Sequence, residues 1–333
     1  MTHSQNILVI RLTAIGDVVL TLPAVALLRQ NIPGAKITFL TTRENADLLR
    51  GFREVNETIT LNRAIFRGGN PLRIGGELLR LIQKLRAGKF SLVVDLQSNG
   101  ESGWLTQLTG APQRWGFATK VTRRWAYTSF TDHYYQLHPA KSNCALLYHC
   151  GLATGEMRNV FSLPPDALAE ARAFFYEQKL VAGRPTIFIQ PFTSAAHKNW
   201  PLENYLAVAR FWRERGMQII LGGGPTDRAA LEPARQEGFV ISAGVPLLVT
   251  GGLIQLSELV FGGDTGTLHL AVAQGKRVLM LMRQAALGNA SPFQHPEWVI
   301  AAPAIDAIAK ISLAEVNLAI RQVFNEPAGN VSC

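Results

Sequence analysis

Apolar residues along this chain fall in short continuous runs that alternate with longer segments of mixed polarity. The runs are three to six residues long and do not alternate strictly between apolar and polar positions, which is typical of strands buried on both faces of a parallel sheet. They lie at residues 7–10, 36–41, 58–61 and 91–96, and again at 186–190, 218–221, 239–242, 259–261 and 277–282. This spacing predicts two successive segments of the α/β class.

Helix-like segments lie between these runs. They are predicted from residue 17 onward and at 45–51, 71–87, 202–215, 226–237, 253–259, 267–274 and 312–324. Strands that alternate with helices through short connections form parallel βαβ units. The stretch Leu163-Pro164-Pro165-Asp166 interrupts the alternation and marks a boundary.

The length of 333 residues is too great for one ordinary domain and sufficient for two. We therefore predict two Rossmann-like domains that face a cleft, residues 1–160 and 161–333. Ligands of such sheets bind beyond the carboxyl ends of the strands. The pattern leaves open which domain the last helix, 312–324, packs against.

Composition describes a folded globular protein, because 47% of the residues are hydrophobic and 17% are charged. The cysteines Cys144, Cys150 and Cys333 show no paired spacing, which favours free thiols in a reducing compartment. The seven histidines are scattered, so we expect no metal site. The apolar N-terminal run lacks the flanks of a signal peptide, and no apolar window reaches the length of a membrane span. These features predict a cytoplasmic protein.

Charge is distributed unevenly between the two halves. Residues 1–160 carry 19 Lys and Arg against 10 Asp and Glu, whereas residues 161–333 carry 14 of each. A basic half favours an anionic partner, which we expect to be an anionic membrane surface or a phosphorylated glycolipid. Solvated helix faces explain the same residues equally well. Nucleic acid ranks last, because no motif of aromatic and basic recognition residues is present.

The segment from Gly262 to Ala271 reads as the end of a strand, a glycine-rich turn and the start of a helix. Glycines let a backbone approach a ligand closely, and a helix N-terminus offers free N–H groups and partial positive charge. Such a corner suits a phosphate or diphosphate. Asp264 and His269 add polar side chains that hold either a ligand or only the turn.

A second strand-to-helix turn places Asp17 at the opening of a helix. Capping of the helix is the simpler role for an aspartate there, and general-base catalysis is the functional alternative. Neither a G-x-G-x-x-G fingerprint nor a Walker motif occurs in the chain.

Two further loops follow strands in the second half. In the loop 190–201, Thr193, Ser194 and Lys198 form a candidate cluster for an oxyanion or diphosphate, unless the loop is simply solvated above Trp200. After the next strand, Asp227 follows three glycines. It is suited either to accept hydrogen bonds from a ribose or adenine or to cap a helix.

Four motifs in this order resemble a bacterial family, glycosyltransferase family 9, which includes the ADP-heptose:lipopolysaccharide heptosyltransferases. The resemblance covers nearly the whole chain. Its motifs are Ile15-Gly16-Asp17-Val18 followed by Thr21-Leu22-Pro23-Ala24, then Asp95-Leu96-Gln97, Lys198-Asn199-Trp200-Pro201, and Gly263-Asp264-Thr265-Gly266 with His269. It implies a GT-B fold, in which the first domain binds the acceptor and the second binds the nucleotide sugar.

The resemblance also implies roles for individual residues. Asp17 matches the catalytic base, Lys198 matches the lysine at the donor diphosphate, and Asp227 matches an acidic residue at the adenosine. The remaining donor-binding matches are Thr193, Ser194, Asp264, Thr265, Gly266 and His269. The loop Ala195-Ala196-His197 departs from the more polar loop that the family often has. Charge and location alone suggest the acceptor candidates Arg63, Arg67, Arg73, Arg123 and Arg124.

The expected reaction is an inverting, metal-independent transfer of heptose from ADP-heptose to the lipopolysaccharide inner core. ADP-heptose is then the donor substrate, no cofactor is expected, and the anionic acceptor brings the protein to the inner face of the cytoplasmic membrane. One alternative is a GT-B transferase with another nucleotide sugar or acceptor. The other is a non-catalytic protein that binds a nucleotide or glycolipid.

Overall fold

The computed structural model describes residues 5–67, 70–283, 288–304 and 308–325. The chain divides into two compact units, Met1–Ser162 and Leu163–Cys333. Each unit is built around one six-stranded parallel sheet. No helix in the described part of the chain is long and apolar enough to cross a membrane.

The sheet of the first unit has the strand order β3-β2-β1-β4-β5-β6. Its strands are β1 Asn6–Ile10, β2 Lys36–Thr42, β3 Glu57–Leu61, β4 Leu92–Asp95, β5 Gln113–Phe117 and β6 Ser129–Thr131. Its α-helices are α1 Ile15–Val19, α2 Leu22–Asn31, α3 Arg63–Arg67, α4 Pro71–Ala87, α5 Gly100–Leu108 and α6 Pro139–His149. Short 3-10 helices span Arg43–Asn45, Asp47–Gly51 and Val121–Ala126.

The central strand β1 is buried almost entirely, because helices cover both faces of its sheet. On one face, Leu8 and Ile10 pack in a core that also contains Leu81 and Leu85 of α4. Burial on both faces accounts for the unbroken apolar run of β1.

The sheet of the second unit has the order β12-β11-β10-β7-β8-β9, which is the same winding as in the first unit. Its strands are β7 Thr186–Gln190, β8 Gln218–Leu221, β9 Val240–Ile241, β10 Leu259–Gly263, β11 Arg277–Met282 and β12 Val299–Ala301. Its α-helices are α7 Pro165–Glu177, α8 Leu202–Arg213, α9 Glu232–Gln236, α10 Leu247–Gln255, α11 Gly266–Ala273 and α12 Leu313–Asn325. Short 3-10 helices span Ala196–Lys198, Pro225–Asp227, Pro296–Trp298 and Ile308–Lys310.

The last helix, α12, packs within the second unit. The Trp212 indole of α8 donates a hydrogen bond to Asn317 Oδ1 at 2.9 Å, and its ring lies 5.9 Å from that of Phe324. Just before α12, the backbone carbonyl of Ile311 accepts a hydrogen bond from the Trp200 indole at 3.1 Å. These contacts place the helix that the sequence left unassigned.

Three predicted helices differ from the structure. The segment 45–51 forms two short 3-10 helices, and 226–237 contains only one short 3-10 turn and α9. The helix predicted at 253–259 is instead α10, Leu247–Gln255. Its two glycines disfavour a helix locally, but a β-carbon at Gly252 would lie only 2.4 Å from the Ala171 β-carbon of α7. The close packing of α10 on α7 therefore outweighs intrinsic propensity.

In each unit the sheet reverses its winding between two neighbouring strands. These are β1 and β4 in the first unit and β7 and β10 in the second. Loops that leave neighbouring strands in opposite directions open a crevice, which is where such sheets bind their ligands. Asp17 follows β1, Lys198 follows β7 and Asp264 follows β10, whereas Asp227 follows β8.

Candidate active site

Three predicted donor-site residues meet at the winding reversal of the second unit. Lys198, in the loop after β7, donates a hydrogen bond from Nζ to Asp264 Oδ2 at 2.7 Å. His269, on α11, places Nε2 at 3.4 Å from Asp264 Oδ1. Asp264 directly follows β10, so one carboxylate connects the two loops and the helix.

Asp264 is ionised at neutral pH because its neighbours outweigh its burial. Burial alone would raise its pKa, but the hydrogen bonds and charges of His269 and Lys198 lower it to about 2. The carboxylate is only 19% exposed. The cluster therefore holds a fixed negative charge that orients the lysine.

Lys198 keeps donor capacity for a further anion. An ammonium has three N–H donors, and Asp264 is its only described partner here, so two remain for a ligand. The side chain is 32% exposed. On the other side of Asp264, α11 begins at Gly266 with the backbone of Thr265 as its cap. The first N–H groups of that helix have no partner within it, which makes the corner suitable for a diphosphate.

Thr193 holds the loop in place. Its hydroxyl lies 2.9 Å from both the Ala195 carbonyl and Asn199 Oδ1, and its backbone N–H donates to Asn199 Oδ1 at 2.8 Å. The Thr193 hydroxyl is thus already engaged in hydrogen bonds within its own loop, and its contact with the donor stays a prediction. Asn199 was not among the predicted site residues, although it lies within one of the recognised motifs. Ser194 is exposed on the same loop.

The glycines at the end of β10 have a packing role. A β-carbon at Gly262 would lie 2.4 Å from the Gln190 carbonyl on β7, and one at Gly263 would lie 2.7 Å from Thr193 Cγ2. From the sequence alone, these glycines are explained by close approach of a ligand. The structure shows that the neighbouring strand and loop already occupy the space.

Asp227 caps its own turn. Its Oδ2 accepts the Gly224 N–H at 2.7 Å, which closes the 3-10 turn after β8. The capping role that the sequence left open is therefore present in the structure. Contact of Asp227 with an adenosine stays a prediction.

In the first unit, Asp17 lies in α1, close to the winding reversal between β1 and β4. Its Oδ2 accepts the Ala14 N–H at 3.0 Å and lies 3.0 Å from Arg11 Nη2. Both contacts use the same oxygen, and the side chain is 41% exposed. One oxygen thus anchors the carboxylate while Oδ1 is left to accept a proton.

Comparison with known proteins assigns the family. Residues 78–311 match the model of glycosyltransferase family 9, the heptosyltransferases. This chain belongs to glycosyltransferase family 9. It is therefore an enzyme, and the predicted resemblance is confirmed.

Relatives of this family 9 chain are similar over most of its length. "Lipopolysaccharide heptosyltransferase 3" of Escherichia coli is 24% identical over 278 residues, which cover 80% of each chain. A family 9 glycosyltransferase from Veillonella parvula has a solved structure that superposes with a TM-score of 0.87 at 20% identity, covering 98% of this chain and 99% of that one. The E. coli heptosyltransferase WaaC, solved with ADP, gives 0.78 at 19% identity, with coverage of 96% and 100%. The predicted α/β class and GT-B architecture are confirmed.

The loop that carries Asp17 in this family 9 enzyme is held by the loop after β4. Gln97 Oε1 accepts the Leu12 N–H at 3.1 Å and the Thr13 N–H at 3.3 Å. Arg11 donates from Nη1 to the Leu96 carbonyl. Neither Gln97 nor Arg11 was predicted as a site residue, yet both are polar residues within two positions of the end of a buried strand.

Asp95 supports Gln97 from below. It is fully buried and accepts hydrogen bonds from the Gln97 N–H at 3.0 Å, the Ser98 N–H at 2.8 Å and the Tyr127 hydroxyl at 2.8 Å. Burial raises its pKa, against the lowering effect of these hydrogen bonds. Its described partners all lie within the first unit, where it organises the loop.

The predicted acceptor arginines lie on three different segments of the first unit. Arg63, on α3, forms an ion pair with Glu101 at 2.6 Å. Within the 3-10 helix Val121–Ala126, Arg123 donates a hydrogen bond to the Ser98 carbonyl. The guanidinium of Arg124 lies over the Phe130 ring. Arg73 is exposed on α4, and the side chain of Arg67 lies outside the described part of the structure.

Metal-ligand clusters were sought among the described residues. No group of three or more His, Cys, Asp or Glu side chains there is arranged to hold a metal ion.

Proposed function

We propose that this protein transfers a heptose from ADP-heptose to the inner core of lipopolysaccharide. Family 9 is described as the heptosyltransferase family, and several curated relatives carry the name lipopolysaccharide heptosyltransferase. WaaC has been solved both with ADP and with ADP-2-deoxy-2-fluoro heptose. These names support the donor and acceptor classes.

The observation that carries the proposal is the contact of Lys198 with Asp264 beside the start of α11. A diphosphate needs positive charge and several N–H donors, and this corner offers an oriented ammonium and a helix N-terminus. In this proposal Asp264 positions the lysine, and Thr265 and Gly266 bring backbone N–H groups to the diphosphate. We assign donor binding to the second unit on this basis.

We assign activation of the acceptor to Asp17 in the first unit. Asp17 Oδ1 takes the proton of the acceptor hydroxyl while Oδ2 stays bound to Arg11 and Ala14. The acceptor oxygen bonds to the anomeric carbon as the bond from that carbon to the diphosphate oxygen breaks. The electron pair leaves with ADP, whose charge Lys198 stabilises. One displacement of this kind inverts the anomeric configuration.

The basic first unit supports an anionic acceptor. Arg63, Arg73, Arg123 and Arg124 stay the candidates for its phosphate or carboxylate groups. Because Lys198 and the helix N-terminus supply positive charge at the leaving group, the proposed transfer needs neither a metal nor a cofactor. Full activity after exhaustive treatment with EDTA is the expected result.

Asp17→Asn is the test of the catalytic assignment. The amide still accepts the Ala14 N–H but is no longer a base, so we expect kcat to fall by about 10²–10⁴-fold with ADP binding nearly unchanged. Asp47→Asn, an exposed carboxylate on the Asp47–Gly51 helix, is the matched control and keeps wild-type turnover. Near-normal transfer by the Asp17 variant contradicts its role as the base.

Product analysis separates the remaining alternatives. NMR of the purified product reports whether the anomeric configuration has inverted. Transfer from a UDP- or GDP-sugar with ADP-heptose inert overturns the donor assignment. Binding of ADP without turnover of any donor and acceptor pair points instead to a non-catalytic binding protein.

A further inference from the structure

Helix α4 of the first unit exposes large apolar side chains. Leu72 is 88% exposed and Leu79 is 56% exposed, although a water-soluble surface seldom leaves leucines so bare on one helix. The two residues are seven apart, so they lie on the same face two turns from each other. Gly75, Gly76, Gln83 and Arg86 share that face, and all four are exposed.

A row of basic residues borders this apolar stripe. Arg73, Arg80 and Lys84 are spaced by seven and four residues, which places them along one line of the helix. All three are exposed, and none forms an ion pair with another described residue. Glu77 is the only acidic residue from Arg63 to Lys89, whereas seven residues of that segment are basic.

The positive charge continues from the helix onto the neighbouring strand ends. Arg80 and Lys84 line a cavity of about 350 Å³ whose third basic residue is Arg43, directly after β2. Thr60 and Asn62 add polar groups to its wall, and Glu77 is the one acidic residue against the three basic ones. The cavity has the size and charge to take a phosphate-bearing headgroup.

The other face of α4 is firmly anchored. Leu81 and Leu85 are buried in the core of the first unit, and Asn70 caps the helix by accepting the N–H groups of Leu72 and Arg73. The exposed stripe is therefore displayed on a fixed support.

We propose that α4 is a membrane-docking helix that lies in the surface of an anionic bilayer. Its apolar stripe enters the boundary of headgroups and acyl chains, while the Arg73, Arg80 and Lys84 row binds lipid phosphates. A leucine stripe beside unpaired basic residues is the pattern of an interfacial helix. The exposed leucines favour a bilayer over an acidic protein, because apolar side chains gain most from a deformable apolar phase, and the basic row makes that bilayer an anionic one.

Flotation with vesicles tests the proposal without donor or acceptor. The wild-type protein is expected to float with vesicles of phosphatidylcholine and phosphatidylglycerol, but not with phosphatidylcholine alone, and to be released by high salt. The variants Leu72→Ser/Leu79→Ser and Arg80→Glu/Lys84→Glu are each expected to weaken binding by about tenfold or more. Because no sugar is involved, a negative result leaves the proposed transfer reaction intact.

Two matched controls carry equal changes elsewhere. Tyr176→Ser/Val181→Ser removes two exposed apolar residues from the second unit, and Lys141→Glu/Arg172→Glu reverses the same number of charges on helices other than α4. Wild-type binding by both controls supports the proposal. Equal loss in the charge control shows that binding depends on net charge alone and overturns it.

Two further results also overturn the proposal. One is undiminished flotation of both α4 variants, with circular dichroism showing that they are folded. The other is a wild-type dimer in sedimentation velocity that Leu72→Ser/Leu79→Ser converts to a monomer, since the stripe is then covered by a second copy of this chain.

Discussion

At the scale of single residues, the candidate site is held by carboxylates that each serve several partners. Asp264 binds Lys198 and His269, and Asp17 binds Arg11 and the Ala14 N–H. In each case, a side chain predicted to bind the donor or take part in the reaction also forms hydrogen bonds that stabilise the local structure. Substitutions at these positions therefore change stability and activity together unless the replacement keeps the structural bond.

The ion pair of Asp264 predicts a pH-dependent contribution to stability. Its pKa of about 2 in the folded protein lies below its ordinary value of 3.8, so the contribution is complete above about pH 4 and is lost as the pH falls toward 2. Asp264→Asn is expected to lower the free energy of unfolding, and the difference from wild type narrows by about 2 kcal/mol across that interval. Denaturant unfolding at a series of pH values measures it. A difference that stays constant below pH 4 contradicts the assignment.

Gln97 is predicted to act on the reaction by positioning the loop of Asp17. Gln97→Leu leaves the Leu12 and Thr13 N–H groups without their acceptor, so we expect kcat to fall about ten- to hundredfold while the KM for the donor changes little. Gln97→Glu keeps an acceptor oxygen and is expected to retain most activity. Steady-state kinetics of the two variants decide the point, and equal losses in both show that the acceptor bond is not what matters.

At the scale of secondary-structure elements, some glycines lie where neighbouring elements pack most closely and others lie where no neighbour packs at all. Gly262 lies where β10 passes β7, and a β-carbon there has no room. Gly76 lies in the middle of α4, and a β-carbon there would meet no other atom within 4 Å. Replacing glycine by a larger residue is therefore expected to change the free energy of unfolding in opposite directions in the two elements.

Alanine substitutions test this contrast. Gly262→Ala forces β7 and β10 apart and is expected to destabilise the protein by about 1–3 kcal/mol. Gly76→Ala replaces a poor helix former at no steric cost and is expected to stabilise it by about 0.5–1 kcal/mol. Thermal and denaturant unfolding report both values. Destabilisation by Gly76→Ala contradicts this expectation and indicates that other atoms pack against the exposed face of α4.

At the scale of the whole molecule, two units with the same winding differ in charge. The excess of basic residues lies within residues 1–160, whereas residues 161–333 are balanced. This asymmetry fits the proposed division, in which the first unit takes the anionic acceptor and the second takes the nucleotide sugar.

Nucleotide binding predicts a selective rise in melting temperature. A ligand that binds only the folded protein stabilises it, so ADP at about a hundred times its Kd is expected to raise Tm by about 2–4 °C. UDP and GDP are expected to give smaller shifts, and Lys198→Met is expected to reduce the ADP shift. Differential scanning fluorimetry measures all of these. A larger shift with UDP or GDP contradicts the ADP assignment.

Much of the fold could be predicted from the sequence because buried parallel strands leave unbroken apolar runs. The strands around β1 and β7 follow that rule. The strands β5, β6 and β12 were missed, since β5 begins with polar residues and β6 and β12 have only three residues each. Helix α10 was predicted at the wrong position because its glycines disfavour a helix locally. They are explained by the close packing of α7 against α10, a contact that the local sequence does not show.

The sequence by itself determined the order of elements, the charge asymmetry and the residue types after each strand, because these depend on local composition and periodicity. Only the tertiary structure decided which of those residues meet. Lys198 and His269 both contact Asp264. Thr193 and Asp227 form hydrogen bonds within their own loops. Gln97 accepts a hydrogen bond from the loop that precedes Asp17. The physical reason is that contacts between distant loops depend on strand order, since parallel strands bring their carboxyl ends to one edge whatever their separation in the chain.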